Sequence, residues 1–179
     1  MKGIVFREFA DMVEATFSAD LLDDIIDRCE LASGGAYTTV GTYDHGEMVQ
    51  LVTQLSVATE TPIAELLQAF GGYLFGRFVN LYPHFFNGID SAIELLAQVE
   101  SIIHPEVLKL YPDAELPRFH VQEHYEDRLV MDYESSRHLE DLAEGLMLGC
   151  IRHFNRPVTL ERTQIDGDKV RFTLQAVAG

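Results

Sequence analysis

Hydrophobic residues recur with the period of an amphipathic helix, about 3.6 residues, through roughly residues 1–112. This pattern predicts five helices, which begin near Ile4, after Ser18, after Asp44, at Pro62 and near Ser91. Ser18 and Asp44 are residue types that cap helix N-termini, and Glu47, three residues after Asp44, would complete a capping box. The N-terminal part of the chain is therefore predicted to be helical.

The hydrophobic period changes to two from Arg118 onward, as is typical of β-strands. A first strand leads to a turn at 125–127 and then to a return strand. Alternate residues of a strand project from one face. The face predicted for the return strand carries Leu129, Met131, Tyr133, Ser135 and Arg137.

A helix is predicted from about His138 to Phe154. It is followed by a second hairpin that turns at Asp166-Gly167-Asp168. Helices followed by antiparallel strands predict an α+β fold. We expect a four-stranded antiparallel sheet in roughly residues 113–179, with a helix inserted between its two hairpins.

Two adjacent glycines, Gly71 and Gly72, interrupt the fourth predicted helix. Each glycine costs about 1 kcal/mol relative to alanine in a helix interior. The pattern therefore indicates that something approaches the helix closely. A flat or large ligand and a tightly packed neighbouring helix explain it equally well.

Composition narrows the possible functions. At 179 residues, of which 47% are hydrophobic, residues 1–179 suit one domain with a sizeable core. The 29 acidic against 13 basic residues give a net charge of −16, which argues against nucleic acid and against an anionic membrane surface as partners. An anionic cofactor would need a local positive group, for which Arg137 is the candidate.

The cysteines and the N-terminus indicate a cytoplasmic protein. Cys29 and Cys150 lie far apart in apolar helical contexts, where free cysteine behaves as a small buried hydrophobe. Arg7, Glu8 and Asp11 interrupt what would be the apolar region of a signal peptide, and no run approaches the roughly 18 apolar residues of a membrane span. The chain also lacks a Cys-x-x-Cys-His motif for covalent haem.

His104 lies beside the hydrophobic stripe of the fifth helix, and histidine is the commonest metal ligand in proteins. Pro105 disfavours helical geometry at the residue before it, so His104 is predicted to lie at a helix break. Ala97 and Ser101 fall on the same side and leave room for a bulky ligand. A single histidine in this setting is nevertheless more often structural, so both interpretations stay open.

Tyr133, Ser135 and Arg137 form a candidate anion receptor, because two hydroxyls and a guanidinium would project together. Polar strand faces more often meet solvent, but this face begins with Leu129 and Met131. An unpaired buried arginine would be costly, which favours an interior anion. An imidazole for iron together with an anion receptor for propionates suits haem.

The chain resembles the haem nitric-oxide/oxygen-binding (H-NOX) domains, which are related to the haem domain of soluble guanylate cyclase. The resemblance covers essentially the whole chain. Its most specific part is the Tyr-x-Ser-x-Arg pattern about thirty residues after a histidine. The matching residues are Met1-Lys2-Gly3, Ile103-His104, Tyr111-Pro112, Leu116-Pro117 and Tyr133-x-Ser135-x-Arg137.

The resemblance implies a non-covalent haem b, Fe(II) at rest, buried between the helical part and the sheet. It implies that His104 is the axial ligand of the iron and that the anion receptor binds the haem propionates. Pro117 matches the proline that presses on the porphyrin in this family.

The resemblance also bears on the distal pocket. Leu142 aligns where oxygen-binding members carry a hydrogen-bonding tyrosine. Counting positions from the N-terminus against the family places four more residues along the pocket, and all four are apolar: Val5, Phe9, Leu74 and Phe78. This departure from the oxygen-binding pattern predicts that oxygen is excluded.

The function implied is a gas sensor, not an enzyme, that binds nitric oxide and carbon monoxide. Since 179 residues leave no room for an effector domain, the signal is expected to pass to a separate histidine kinase or to a cyclic-di-GMP synthase or phosphodiesterase. One alternative is a carrier of hydrophobic ligands in which His104 is structural. Another is a haem peroxidase, although the predicted distal residues include no acid-base group.

Overall fold

The computed structural model describes residues 1–167 and 169–177 and has the predicted α+β fold. Its helices are α1 (Gly3–Thr16), α2 (Ala19–Asp27), α3 (His45–Thr59), α4 (Ile63–Leu81), α5 (Ala92–Ala97), α6 (His104–Leu110) and α7 (Glu140–Phe154). Its strands are β1 (Arg118–His124), β2 (Arg128–Glu134), β3 (Val158–Asp166) and β4 (Lys169–Ala176). Asp168, the last residue of the predicted second turn, lies outside the described residues.

The four strands form one antiparallel sheet in the order β1-β2-β4-β3, and α7 connects its two hairpins. Alternate side chains of the two central strands are buried on one face, as the period of two predicts. This buried face consists of Leu129, Met131, Tyr133, Val170, Phe172 and Leu174. It packs against α5 and α7, so the sheet and these helices share one core.

A second core lies among α1, α2, α3 and α4. The two cores meet where α4 packs against α7. A Cβ atom at Gly71 would lie 2.4 Å from the carbonyl oxygen of Leu142, and one at Gly145 would lie 2.2 Å from that of Gln68. Close helix packing therefore explains Gly71.

Of the capping box predicted at the start of α3, Asp44 caps the helix but Glu47 does not. Asp44 accepts a hydrogen bond from the Gly46 N–H at 2.6 Å, as an N-cap residue should. Glu47 instead turns inward and accepts hydrogen bonds from the Ser33 N–H (3.1 Å) and the Tyr37 hydroxyl (2.7 Å). Burial alone would raise the pKa of Glu47, but these hydrogen bonds hold that pKa below its ordinary value.

The strand predicted to continue to Arg137 ends at Glu134, so Ser135 and Arg137 lie in a turn. His138, with φ of 51°, is in the left-handed region. A helix cannot begin there, and α7 accordingly begins at Glu140 instead of His138.

The sequence predicted non-helical geometry at His104, and the structure differs from this prediction. A π-helical turn at Val99–Ile103 follows α5, and α6 begins at His104 with helical dihedral angles (φ −59°, ψ −43°). Pro105 is accommodated because it lies in the first turn of α6, where a missing N–H is tolerated.

No helix in the described ranges, 1–167 and 169–177, combines the length and the apolar composition that a membrane crossing needs.

The α4–α7 contact yields a stability prediction. Gly145→Ala should destabilise the protein by about 2 kcal/mol, because overpacking costs up to about 3 kcal/mol and helix propensity returns about 1. The matched control is Gly76→Ala in α4, where a Cβ would meet no atom within 4 Å. That variant should be stabilised by up to about 1 kcal/mol. Urea unfolding of both variants checks this, and a Gly145→Ala protein as stable as wild type would contradict it.

Candidate cofactor site

A cavity of about 570 Å³ lies between the helical part and the sheet. Helices α1, α4, α5, α6 and α7, the turn after β2 and strands β1 and β2 all contribute to its wall. Its lining is dominated by hydrocarbon side chains. All but one of the predicted site residues line it, namely Val5, Leu74, Phe78, His104, Pro117, Tyr133, Ser135, Arg137 and Leu142.

Phe9 is the exception. Its predicted place along the pocket is wrong, because it does not line the cavity. Its side chain is 1% exposed and meets the ring of Phe70 edge to face, with 5.3 Å between ring centroids. Only the start of α1, through Ile4 and Val5, reaches the cavity. The next turn of the helix packs into the N-terminal core.

Burial favours the neutral imidazole form of His104. Its side chain is 14% exposed, and burial lowers its pKa although the nearby carboxylate of Glu100 acts in the opposite direction. The Nδ1 atom lies 3.2 Å from Oε2 of Glu100. Because a carboxylate can only accept, Nδ1 carries the proton and Nε2 keeps a lone pair. That lone pair is what a metal requires.

Tyr133 is the most deeply buried member of the anion receptor, at 2% exposure. Its ring meets Phe119 and Phe172 edge to face, with centroid distances of 5.4 and 6.3 Å. Burial raises the pKa of Tyr133, which keeps its hydroxyl protonated and able to donate a hydrogen bond.

Ser135 and Arg137 reach the cavity from the turn after β2. The Ser135 hydroxyl accepts a hydrogen bond from the Arg137 N–H at 3.2 Å, which fixes the turn. The guanidinium of Arg137 donates to the Glu115 carbonyl at 3.0 Å and also pairs with the Glu115 carboxylate. With Arg137 18% exposed and Glu115 83% exposed, the pair sits at the rim of the cavity.

Lys2 also lines the cavity, and it contacts Asp113 at 3.0 Å. Hydrogen bonds from Thr42 and Lys2 lower the pKa of Asp113 to about 2, which keeps this carboxylate charged. Burial, followed by the positive charge of Arg137, lowers the pKa of the Met1 amino group, which favours its neutral form. Lys2 and Arg137 therefore each bring a positive charge to the cavity wall of an acidic chain.

The cavity wall also contains a pair of tyrosine hydroxyls that the sequence did not predict. The hydroxyls of Tyr82 and Tyr111 lie 3.4 Å apart, and both side chains line the cavity. Burial raises the pKa of Tyr82, so its hydroxyl remains protonated. Each tyrosine precedes a proline, Pro83 or Pro112. Nothing in the local sequence indicates that residues 29 positions apart meet.

The donor set fits haem. A neutral imidazole with a free Nε2 suits iron, and cations at one rim suit propionates. The apolar walls suit a porphyrin, and the volume lies within the roughly 300–1,000 Å³ of small-molecule sites.

Comparison with known proteins agrees with this chemistry. The family model described as haem-NO-binding matches residues 2–162. The structure of the Fe(II) unliganded H-NOX protein from K. algicida is 40% identical with a TM-score of 0.95, and the match covers 100% of this chain and 98% of that one. The H-NOX from Shewanella woodyi, bound to IWP-051 in the Fe(II)CO state, is 37% identical with a TM-score of 0.85, covering 99% and 95%.

An H-NOX protein from S. oneidensis in the Fe(II)NO state has the same fold, with a TM-score of 0.91 at 24% identity over 99% of this chain and 100% of that one. No curated protein sequence matches this chain. The family model covers most of the chain, and two of these structures exceed 30% identity over nearly its whole length. The chain therefore belongs to the haem-NO-binding, or H-NOX, family of haem-based gas sensors.

Proposed function

We propose that this protein is a ferrous haem b sensor of nitric oxide that also binds carbon monoxide and excludes oxygen. The observation that carries the proposal is the position of His104, whose Nδ1 lies 3.2 Å from the Glu100 carboxylate, in the wall of a large apolar cavity that Arg137 also lines. When bound, haem supplies the iron atom to which the gas binds.

The chain's own residues have separate tasks in this proposal. Nε2 of His104 would bind the iron. The anion receptor would hold the propionates, with positive charge from the guanidinium of Arg137, which donates to the Glu115 carbonyl. Pro117, in the cavity wall, would press on the porphyrin. The family resemblance supports these roles, and the placement of all these residues around one cavity is compatible with them.

The gas selectivity rests on the apolar residues Val5, Leu74, Phe78 and Leu142, which line the cavity. Oxygen draws more electron density from iron than carbon monoxide does, so it depends more on a hydrogen-bond donor. Those four side chains offer none. The Tyr82 and Tyr111 hydroxyls are the other candidate donors in the cavity wall, and the hydrogen bond between them uses one of their two O–H groups. Nitric oxide as the signal follows from the family, and carbon monoxide from the S. woodyi relative.

The output is proposed to pass to a separate histidine kinase or to a cyclic-di-GMP synthase or phosphodiesterase, on the strength of the family alone. The protein itself is proposed to be a sensor and not an enzyme. Its proposed place is the cytoplasm, because Cys29 and Cys150 are free thiols. The second candidate function is a carrier of hydrophobic ligands, which the apolar cavity favours. An absorption spectrum of the purified protein separates the two, because only the sensor shows haem bands.

Removing the iron ligand should abolish stable haem incorporation. His104→Ala takes away the one proposed bond from protein to iron, so the purified variant should lack haem unless imidazole is supplied. His120→Ala is the control, since His120 lies on β1, is paired with Glu134 and does not line the cavity. Haem content and the ferrous absorption spectrum measure the result. Wild-type haem content in His104→Ala would show that the ligand is assigned wrongly.

Removing the charge of the anion receptor should weaken haem retention. A hydrogen bond to a charged group contributes about 1.5–3 kcal/mol, so Arg137→Ala should lose haem about 10- to 100-fold faster to apomyoglobin. Arg162→Ala is the control, because Arg162 pairs with Asp141 and does not line the cavity. Equal loss rates for the two variants would count against the propionate role.

The ferrous protein should bind carbon monoxide but form no stable complex with oxygen in air-saturated buffer. The missing donor is worth about 1.5–3 kcal/mol, or one to two orders of magnitude in affinity. Absorption spectra recorded over time measure both gases. A long-lived oxygen-bound spectrum would refute the selectivity. Tyr82→Phe would then test whether the Tyr82 hydroxyl is the donor.

A further inference from the structure

Glu100 connects His104 to the first strand of the sheet. Its Oε2 atom lies 3.2 Å from Nδ1 of His104 and accepts the Phe119 N–H at 3.1 Å. The ring of Phe119 also packs beside the imidazole, with 5.8 Å between the ring centroids. The imidazole is therefore fixed by one carboxylate and one aromatic ring, and both are anchored on β1.

We propose that Glu100 is a positioning residue that sets the tautomer and the orientation of His104 for iron. The proposal rests on the proposed function, because it takes His104 as the ligand. Glu100 itself does not touch the iron or the haem in this scheme. Glu100 acts through its contact with the imidazole and through its hydrogen bond to β1, against which the imidazole packs.

The backbone around Glu100 supports this assignment. Glu100 lies in the π-helical turn Val99–Ile103, and the His104 N–H bonds to the Val99 carbonyl. Turns of this kind are rare and occur frequently at functional sites. Here the turn carries the carboxylate immediately before the helix that begins with the histidine. One short segment thus positions both the Glu100 carboxylate and the His104 imidazole.

The electronic effect has a definite direction. A metal-bound histidine whose other ring N–H donates to a carboxylate is a more basic, stronger ligand, and its ring orientation is fixed. Removing the carboxylate should therefore weaken the iron–histidine bond. Losing such a partner typically costs about 10- to 100-fold in metal affinity.

A purely structural role for Glu100 makes a different prediction. If Glu100 only satisfied the Phe119 N–H, then Glu100→Gln would behave as wild type, since its amide oxygen still accepts a hydrogen bond. A positioning role requires the negative charge at Nδ1. The pair Glu100→Gln and Glu100→Ala therefore separates the acceptor from the charge.

The matched control is Glu106→Gln. Glu106 lies in α6, two residues after His104, and pairs with Lys109 instead of the imidazole. The Glu106→Gln substitution removes a negative charge close to His104 in the sequence and leaves the contact between Glu100 and Nδ1 in place. Circular dichroism and thermal unfolding of each apoprotein report whether the fold is kept.

Two measurements test the proposal. Nitrogen NMR of the apoprotein at pH 8 reads the His104 tautomer without any haem. We expect the Nδ1–H form in wild type and Glu106→Gln, and a mixture in Glu100→Ala. Resonance Raman spectra of the ferrous protein read the iron–histidine stretch, which should fall in Glu100→Gln and in Glu100→Ala, with haem lost about 10- to 100-fold faster in Glu100→Ala.

Each outcome decides the matter. An iron–histidine stretch equal to wild type in Glu100→Gln overturns the positioning role, whether or not Glu100→Ala folds. A wild-type tautomer in a folded Glu100→Ala protein overturns it as well. A wild-type protein without haem, or a His104→Ala protein with normal haem, overturns the proposed function instead. In that case the apoprotein tautomer still shows whether Glu100 orients His104.

Discussion

The backbone contact between α4 and α7 is the constraint on which the rest of the molecule depends. Gly71 and Gly145 let the two helices approach until backbone atoms meet, which no side chain would permit. The same two helices supply cavity residues, Leu74 from α4 and Leu142 from α7. The spacing that closes the two hydrophobic cores therefore also sets the width of the cavity. A loss of stability and a loss of cavity shape would have one common cause.

Charge is the second constraint. A chain of net charge −16 repels an anionic cofactor, so positive groups have to be kept near the cavity and kept charged. Lys2 is held there by Asp113, and Arg137 by Glu115. The partner of Arg137, Glu115, is largely exposed, so this well-solvated carboxylate can give way to another anion at small cost. The acidic partners thus hold the cations in place without neutralising them irreversibly.

The period of hydrophobic residues predicted the helices and the sheet, because each pattern depends on neighbouring positions. The apolar cavity residues and Pro117 came instead from the family resemblance. Contacts between distant residues were not predicted. The Tyr82–Tyr111 pair, the contact of Glu100 with Phe119 and the inward turn of Glu47 each need the fold to be known. Glu100 alone had a local signal, since it precedes His104 by four residues and helical spacing places the two together. The tyrosines carried none.

The packing around His104 differs between the helix before it and the helix that it begins. The residues of α5 are largely buried, whereas the structure describes no buried residue in the π-helical turn or in α6. Segments with few buried apolar contacts open at low free energy, and moving elements are drawn from them. His104 thus stands where a well-packed helix gives way to a weakly packed one. Under the proposed function, a change in the bond at Nε2 would act on the segment that resists movement least. The contacts of Glu100 with His104 and with the Phe119 N–H would connect that change to β1.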